Sequence, residues 1–310
     1  MPVPEGVLDD GATHGSFGHG HAHGHRHEIM NTLGEILKLS TAYLEQRSIL
    51  KPRLSAERLL AHSLKMKRLD LYVQFDRPLE EEELKTYRQL LKQRGQGVPV
   101  EYLTRQVDFY GCSLEITPDV LIPRPETEIL LDKVCGMIQG EPVNVLDLCT
   151  GSGCLAIGLK KRLPDLQVFA SDFSAEAVQL AEQNAKRNEV LVDFRQGDLL
   201  APFWGMKFRY VLCNPPYLSE AEYEQIDKEV RLFEPKLALV GGKEGDTFFK
   251  RLAIELPAYL EEGAHLFFEI GASQGEIVRK IFDLECWRKK SVERDFAGHP
   301  RFFFCQYCTT

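Results

Sequence analysis

Apolar residues in the first third of the chain recur at helical spacing: Leu33, Ile36, Leu37 and Leu44, then Leu59, Leu60 and Leu64, then Leu84, Tyr87, Leu90 and Leu91. Pro52 with Ser55, and Pro78 ahead of the acidic run Glu80 to Glu83, supply helix starts whose charge complements exposed N-terminal amides. The acidic run reads as a solvated first turn. The pattern begins at Met30 and predicts a small helical domain over residues 30–102. Val107 to Ile122 reads instead as a β-hairpin with Thr117-Pro118-Asp119 near its turn, inside a bridging segment over 103–123. From Glu126 helical and strand patterns alternate, as a doubly wound, mostly parallel sheet requires, which makes 124–310 the second domain. Its expected strands are Val143 to Leu148, Gln167 to Ala170, Val192 to Arg195, Phe208 to Cys213, Ala264 to Ile270, Lys289 to Arg294 and Phe302 to Tyr307. No helix separates the last two, so they are predicted to pair antiparallel through Gly298-His299-Pro300.

Polar chemistry gathers where these strands end. Asn214-Pro215-Pro216-Tyr217 directly follows the apolar run Phe208 to Cys213. Two prolines fix φ and remove two backbone donors, so their carbonyls have little conformational freedom. An asparagine carbonyl beside the Pro215 carbonyl makes a cradle for a planar NH2 group, and Tyr217 adds an aromatic face. Taken alone, the stretch is equally an ordinary proline-rich turn. A second signal lies upstream: Asp147-Leu148-Cys149-Thr150-Gly151-Ser152-Gly153 stands between a predicted strand and the helical pattern Leu155 to Leu163. Glycines there let the backbone approach a ligand closely and expose helix N-terminal amides. The spacing is neither GxGxxG nor a GK[ST] loop, so a nicotinamide or P-loop phosphate site does not fit. Asp172 ends the next strand, where an acid suits ribose hydroxyls, and a helix opens at Ser174. Gly197-Asp198-Leu199 follows the third strand, with a carboxylate placed to accept from an adenine amino group. Each acid alone could be a solvated loop residue; their recurrence along one sheet edge argues for a site.

Composition narrows the setting. With 44% hydrophobic and 27% charged residues in 310, the chain has the make-up of a globular protein large enough for two modest domains. No apolar run approaches ~18 residues and no secretory h-region opens the chain, so neither a membrane span nor a signal peptide is expected. Eight cysteines without a compact framework suggest reduced thiols and a cytoplasmic location. A net charge of −8 argues against duplex nucleic-acid binding, although Lys65-Met66-Lys67-Arg68 could form a local basic patch. Cys305 and Cys308 form a CxxC inside a predicted strand and read as structural thiols rather than a zinc or redox site. His62, His265 and His299 are too scattered to suggest a triad, and no metal site is expected in the folded domains. Residues 1–29 form a His/Gly-rich extension, expected to be disordered, that could chelate metal but reads first as a tag or miscalled start.

The combination resembles the class I S-adenosylmethionine-dependent methyltransferases that act on amino groups. More narrowly it resembles the PrmC/HemK family of release factor glutamine methyltransferases. The narrower likeness rests on Asp108-Phe109-Tyr110-Gly111, Ile122-Pro123-Arg124-Pro125-Glu126-Thr127-Glu128, Glu234-Pro235 before Ala238-Leu239, Gly241-Gly242 and Glu269-Ile270-Gly271, and runs from about Met30 to the C-terminus. It implies a Rossmann-like α/β fold, a mostly parallel seven-stranded sheet with an antiparallel last strand, plus a small N-terminal helical domain that selects the substrate. The implied cofactor is S-adenosyl-L-methionine, held by Cys149, Thr150, Gly151, Ser152, Gly153, Asp172, Asp198, Leu199 and Asn214. The implied partner is a class I peptide-chain release factor, methylated on the glutamine of its GGQ loop by a cytoplasmic monomer. Asn214, Pro215 and Tyr217 would carry the chemistry, while Pro216, Phe109, Arg124 and Glu126 would join them around the substrate. Two departures stand out: Cys149 replaces the family's usual glycine, and Asp246-Thr247 replaces a usual apolar residue. The alternatives are an amino-methyltransferase of nucleic acid or of a ribosomal protein glutamine, and a release-factor-binding protein with a vestigial fold.

Overall fold

The computed structural model describes residues 32–138 and 142–309, so the His/Gly-rich extension and Met30 lie outside the described residues. The chain divides into two compact units, with the division between Thr104 and Arg105. In the first unit the helices are α1 (Leu33–Glu45), α2 (Pro52–Ser63), α3 (Asp70–Val73), α4 (Glu81–Gly95) and α5 (Val100–Thr104). Helix α1 opens on Thr32, whose backbone amide donates to Glu35 at 2.8 Å in a reciprocal capping box. Pro52 occupies the first turn of α2, where its missing N–H costs nothing. The acidic run is more than solvated surface: Glu80 caps α4, and its backbone amide donates to Glu83 at 3.0 Å. The apolar stripes face one another, with Leu33, Ile36, Leu37, Leu44, Leu59, Leu60, Leu84, Tyr87 and Leu91 all buried. Burying each such side chain contributes roughly 1.5–3 kcal/mol, which is what holds helices of this length together.

The second unit starts with a hairpin, β1 (Gln106–Phe109) and β2 (Cys112–Glu115), whose turn is Tyr110-Gly111. Both turn residues have positive φ, 47° and 75°, the twist a two-residue hairpin loop needs. The expected turn at Thr117-Pro118-Asp119 exists but lies after the hairpin, where Val120 donates to the Thr117 carbonyl at 3.2 Å. Then follow α6 (Pro125–Met137), β3 (Asn144–Leu148), α7 (Cys154–Arg162), β4 (Gln167–Asp172), α8 (Ala175–Arg187), β5 (Asp193–Gln196) and β6 (Phe208–Cys213). The remainder is α9 (Glu220–Tyr223), α10 (Lys228–Phe233), α11 (Thr247–Glu255), β7 (Leu260–Glu269), α12 (Gly275–Ile281), β8 (Trp287–Arg294) and β9 (Pro300–Tyr307).

One seven-stranded sheet results, in the order β5-β4-β3-β6-β7-β9-β8. Strands β3 to β7 run parallel, whereas β9 pairs antiparallel with both β7 and β8. Chain order reverses between β3 and β6, and ligands of open α/β sheets bind at such a switch point, outside the carboxyl ends of the strands. Aromatic residues including Phe208, Phe249, Phe268, Phe282, Trp287 and Phe303 are buried in one core cluster of this unit. Among the described residues no helix is long and apolar enough to cross a membrane.

Candidate active site

The loop after β3 is tied down by an acid at the end of that strand. Asp147 is buried, and one carboxylate oxygen accepts from the Thr150 hydroxyl at 2.6 Å and the Ala156 amide at 3.2 Å. Burial pushes its pKa up to about 7, and its other oxygen has no partner among the described residues. Cys149 adopts φ 58°, a left-handed conformation that costs a side-chain-bearing residue about 1–2 kcal/mol. A glycine at this position would avoid that cost. The Thr150 amide reaches the Ser171 carbonyl at 3.0 Å, and the Gly151 amide donates to Asp172 at 2.8 Å. Asp172 also accepts from the Ser174 amide at 3.0 Å, at the start of α8, and burial raises its pKa. From α8, fully buried Asn184 donates to the Ser152 carbonyl and to the Glu115 carbonyl, both at 3.0 Å, joining loop and hairpin.

A cavity of about 510 Å³ opens over these strand ends. Of the predicted residues, Cys149, Thr150, Gly151, Ser152, Asp172, Asp198, Leu199, Asn214 and Pro216 line it. Gly153, Pro215, Tyr217, Arg124, Glu126 and Phe109 stand outside the lining. Sequence reading missed Phe173, Phe248 and Arg251 on the wall, and the misassigned turn Pro118 to Leu121 supplies another part of it. Phe173, an aromatic directly after a strand-end acid and 63% exposed, was the one that carried a sequence signal. Asp198 does not offer a bare carboxylate, because both its oxygens are taken in a two-pronged pair by Arg251 at 2.9 and 3.0 Å. Each oxygen retains a lone pair, so the pair narrows but does not close its capacity to accept.

Two residues expected at the substrate are engaged elsewhere in the protein. Phe109 is buried at the end of β1 beside Gly158 of α7 and serves packing. Arg124 is ion-paired with buried Glu234, whose second oxygen accepts from the Ile122 amide at 3.2 Å, so the proline-rich segment is clamped to the Glu234-Pro235 motif. Glu126 is half-buried near Glu269 and Tyr217, outside the cavity wall.

The turn after β6 is held from behind. Asn214 donates from Nδ2 to the Thr127 hydroxyl at 3.4 Å, and no hydrogen bond among the described residues uses its Oδ1. Leu218 donates to the Leu239 carbonyl and Gly241 to the Leu218 carbonyl, both at 2.9 Å. Buried Gln274 donates to the carbonyls of Tyr217 at 2.7 Å and Gly245 at 3.0 Å. At Gly241 a Cβ would stand 2.3 Å from the Pro216 carbonyl oxygen and 2.9 Å from that of Gly245. Its backbone is not left-handed, so what the position requires is room. Gly241→Ala is therefore expected to destabilise the fold by about 1–3 kcal/mol, seen as a lower Tm in calorimetry. Displacement of the turn should also lower kcat by more than about tenfold, because small misplacements of reacting groups are costly. Unchanged Tm and kcat would show that the two turns are not coupled.

Among the described residues no three His, Cys, Asp or Glu side chains gather as metal ligands. Cys305 is buried in β9 with Cys308 just beyond it.

The profile described as the PrmC N-terminal domain matches residues 35–104, and that of the methyltransferase small domain matches residues 125–234. A release factor glutamine methyltransferase from Chlamydia trachomatis is 39% identical over 274 residues, spanning 88% of this chain and 93% of the relative. The protein of the same name from Koribacter versatilis is 39% identical over 272 residues, 87% of this chain and 96% of its own. A solved methyltransferase from Pyrococcus furiosus superposes with a TM-score of 0.50 at 18% identity, covering 64% of this chain and 90% of that one, a likeness of fold alone. With close sequence relatives over nearly their whole length, and the strand-end loops gathered around one cavity, this chain belongs to the release factor glutamine methyltransferase family.

Proposed function

We propose that this protein transfers a methyl group from S-adenosylmethionine to the side-chain amide nitrogen of the glutamine in the GGQ motif of class I release factors. The observation that carries the reading is the state of Asn214: it lines the cavity, its NH2 is occupied by Thr127, and its carbonyl oxygen is left for a ligand. The cavity volume suits a small-molecule cofactor. Asp172 retains lone pairs for ribose hydroxyls, while Phe173, Leu199 and Phe248 offer apolar surface to a flat base. S-adenosylmethionine, when bound, supplies an electrophilic sulfonium methyl, so the chain is left to orient a weak nucleophile. An amide nitrogen is weak because its lone pair is delocalised into the carbonyl. The Asn214 carbonyl would accept one hydrogen of the substrate amide, and the Pro215 carbonyl, next in the same turn but outside the cavity lining, would take the other once substrate enters, aiming the lone pair and stabilising the positive charge that develops. This is orientation and electrostatics: the C–S bond would break as the N–C bond forms, the thioether leaves, and the methylated nitrogen, now acidic, would lose one proton to water. The protein would act as a cytoplasmic monomer.

Mass spectrometry of purified release factors after incubation with the protein and labelled cofactor tests the proposal. One methyl on the GGQ glutamine is the expected result; methyl on nucleic acid or on a ribosomal protein instead would overturn it. A non-catalytic binder would leave the release factor unmodified while still forming a complex.

Among the described residues the helical unit supplies none of the cavity wall, and recognition of a large protein needs contact area, about 800 Å² per partner in standard interfaces. A fragment beginning at Arg105, once shown to be folded by circular dichroism, is expected to bind S-adenosylmethionine normally and to methylate release factors with a KM raised at least about tenfold. An unchanged kcat/KM on full-length release factor would remove the helical unit from substrate recognition.

A further inference from the structure

From Asn214 runs a buried polar chain of two more residues, the first of which, Thr127, also lines the cavity. Thr127, in the first turn of α6, and Glu269, at the end of β7, are each 2% exposed, and the Thr127 hydroxyl donates to Glu269 at 2.7 Å. The Thr127 oxygen also receives Nδ2 of Asn214 at 3.4 Å, while Tyr217 donates its hydroxyl to the other Glu269 oxygen at 3.4 Å. We propose that Glu269, acting through Thr127, is a positioning residue that decides which end of the Asn214 amide meets the substrate. The inference rests on the reading of Asn214 as an acceptor for the substrate amide.

The two ends of an asparagine amide have almost the same size and opposite hydrogen-bonding character. Packing alone therefore cannot choose between them. Were the amide turned around, NH2 would face the NH2 of the substrate and the cradle would repel what it must hold. The chain behind Asn214 makes the choice. A carboxylate accepts and cannot donate, so it takes the single hydroxyl hydrogen of Thr127. Thr127 then has only lone pairs left, and the group it can receive is the NH2 of Asn214, which turns Oδ1 toward the cavity. Direction of donation passes from Asn214 to Thr127 to Glu269.

A protonated Glu269 would lose this directing power, because it could donate to Thr127 and free the hydroxyl hydrogen to meet a carbonyl. Burial pushes Glu269 up to about 7, opposed by the Arg301 guanidinium and the hydroxyls of Thr127 and Tyr217 and reinforced by the Glu126 carboxylate; Arg124 also faces the Tyr217 end of the chain. Turnover should accordingly fall as pH drops through about 7. Protonation of Glu269 does not produce that limb by unfolding the protein. A carboxyl whose folded pKa is raised contributes stability that is fully present below its unfolded value near 4.5 and is lost as pH rises toward 7, so this group favours the fold on the acid side.

Kinetics and NMR on the full-length protein test the idea. Thr127→Val, which keeps the shape and removes the hydroxyl, is expected to lower kcat about 10- to 100-fold with cofactor affinity preserved, below the ~10²–10³ for loss of a preorganised group itself. Thr127→Ser should restore most of it. Glu269→Gln should lower kcat and abolish the acid limb. In the cofactor-free protein, the side-chain amide resonances of Asn214 should titrate near pH 7 and cease to do so in Glu269→Gln. Thr127→Val added to Asn214→Ala should cost nothing further, as expected for residues acting through one group. Wild-type kcat and pH profile in Thr127→Val, with Asn214→Ala inactive, would overturn the positioning role and leave the reading of Asn214 standing. An active Asn214→Ala would overturn both. If Glu269→Gln fails to fold, the Thr127 pair and the Asn214 titration decide alone.

Discussion

Replacing Asn214 by alanine is expected to cut turnover by ~10²–10³, about 2.7–4 kcal/mol of transition-state stabilisation, while leaving cofactor affinity near that of the wild type. The separation follows from where the side chain reaches. Its Nδ2 bonds Thr127, and Oδ1 is the acceptor left over, so truncation removes the carbonyl proposed to receive the substrate amide and no group in the loop between β3 and α7. Pro215 and Pro216 stay in place because the turn is held by Gln274 and by the segment around Gly241. Steady-state kinetics with release factor, paired with calorimetric titration of S-adenosylmethionine, measures both quantities. More than half of wild-type turnover in a folded variant would remove Asn214 from the mechanism.

Asp172→Ala is expected to weaken cofactor binding about ten- to a hundredfold, since a charge-assisted hydrogen bond is worth roughly 1.5–3 kcal/mol. The upper end is the better expectation here, because the carboxylate does more than face the cavity. It holds the Gly151 amide at 2.8 Å and the Ser174 amide at 3.0 Å, so its removal also loosens the loop and the start of α8. Asp172→Asn keeps one carbonyl acceptor and should lose less. Calorimetric titration of the folded variants decides the matter: unchanged affinity in Asp172→Ala would mean that the strand-end acid is structural and the ribose is held elsewhere.

The elements that sequence reading located best are those whose burial is two-sided. Central parallel strands are covered on both faces, so they read as unbroken apolar runs, and Phe208 to Cys213 appears in the structure with those limits. Punctuation helped in the same way, as Ser174 caps α8 where the helix was expected to open. The hairpin turn was misplaced for a physical reason. Thr117-Pro118-Asp119 has turn composition and does turn, whereas Tyr110-Gly111 closes the hairpin with a tyrosine at positive φ, which composition does not announce. Phe109 is buried in the structure, and an aromatic in a family motif looks the same in sequence whether it faces a pocket or a core.

By itself, then, the sequence determined the alternation of helices and strands and the residue types standing at the strand ends, because periodicity and turn chemistry are local properties. Tertiary structure alone decided who meets whom there. Arg124 finds Glu234 from 110 residues away, Arg251 reaches Asp198 across 53, and Glu269 sits behind Thr127 at a separation of 142. No local pattern encodes such pairings, since they arise only when strand order brings separate loops to one edge. The direction in which the Asn214 amide points belongs to the same class: it depends on a carboxylate two hydrogen bonds away, a contact that exists only once β7 lies beside β6.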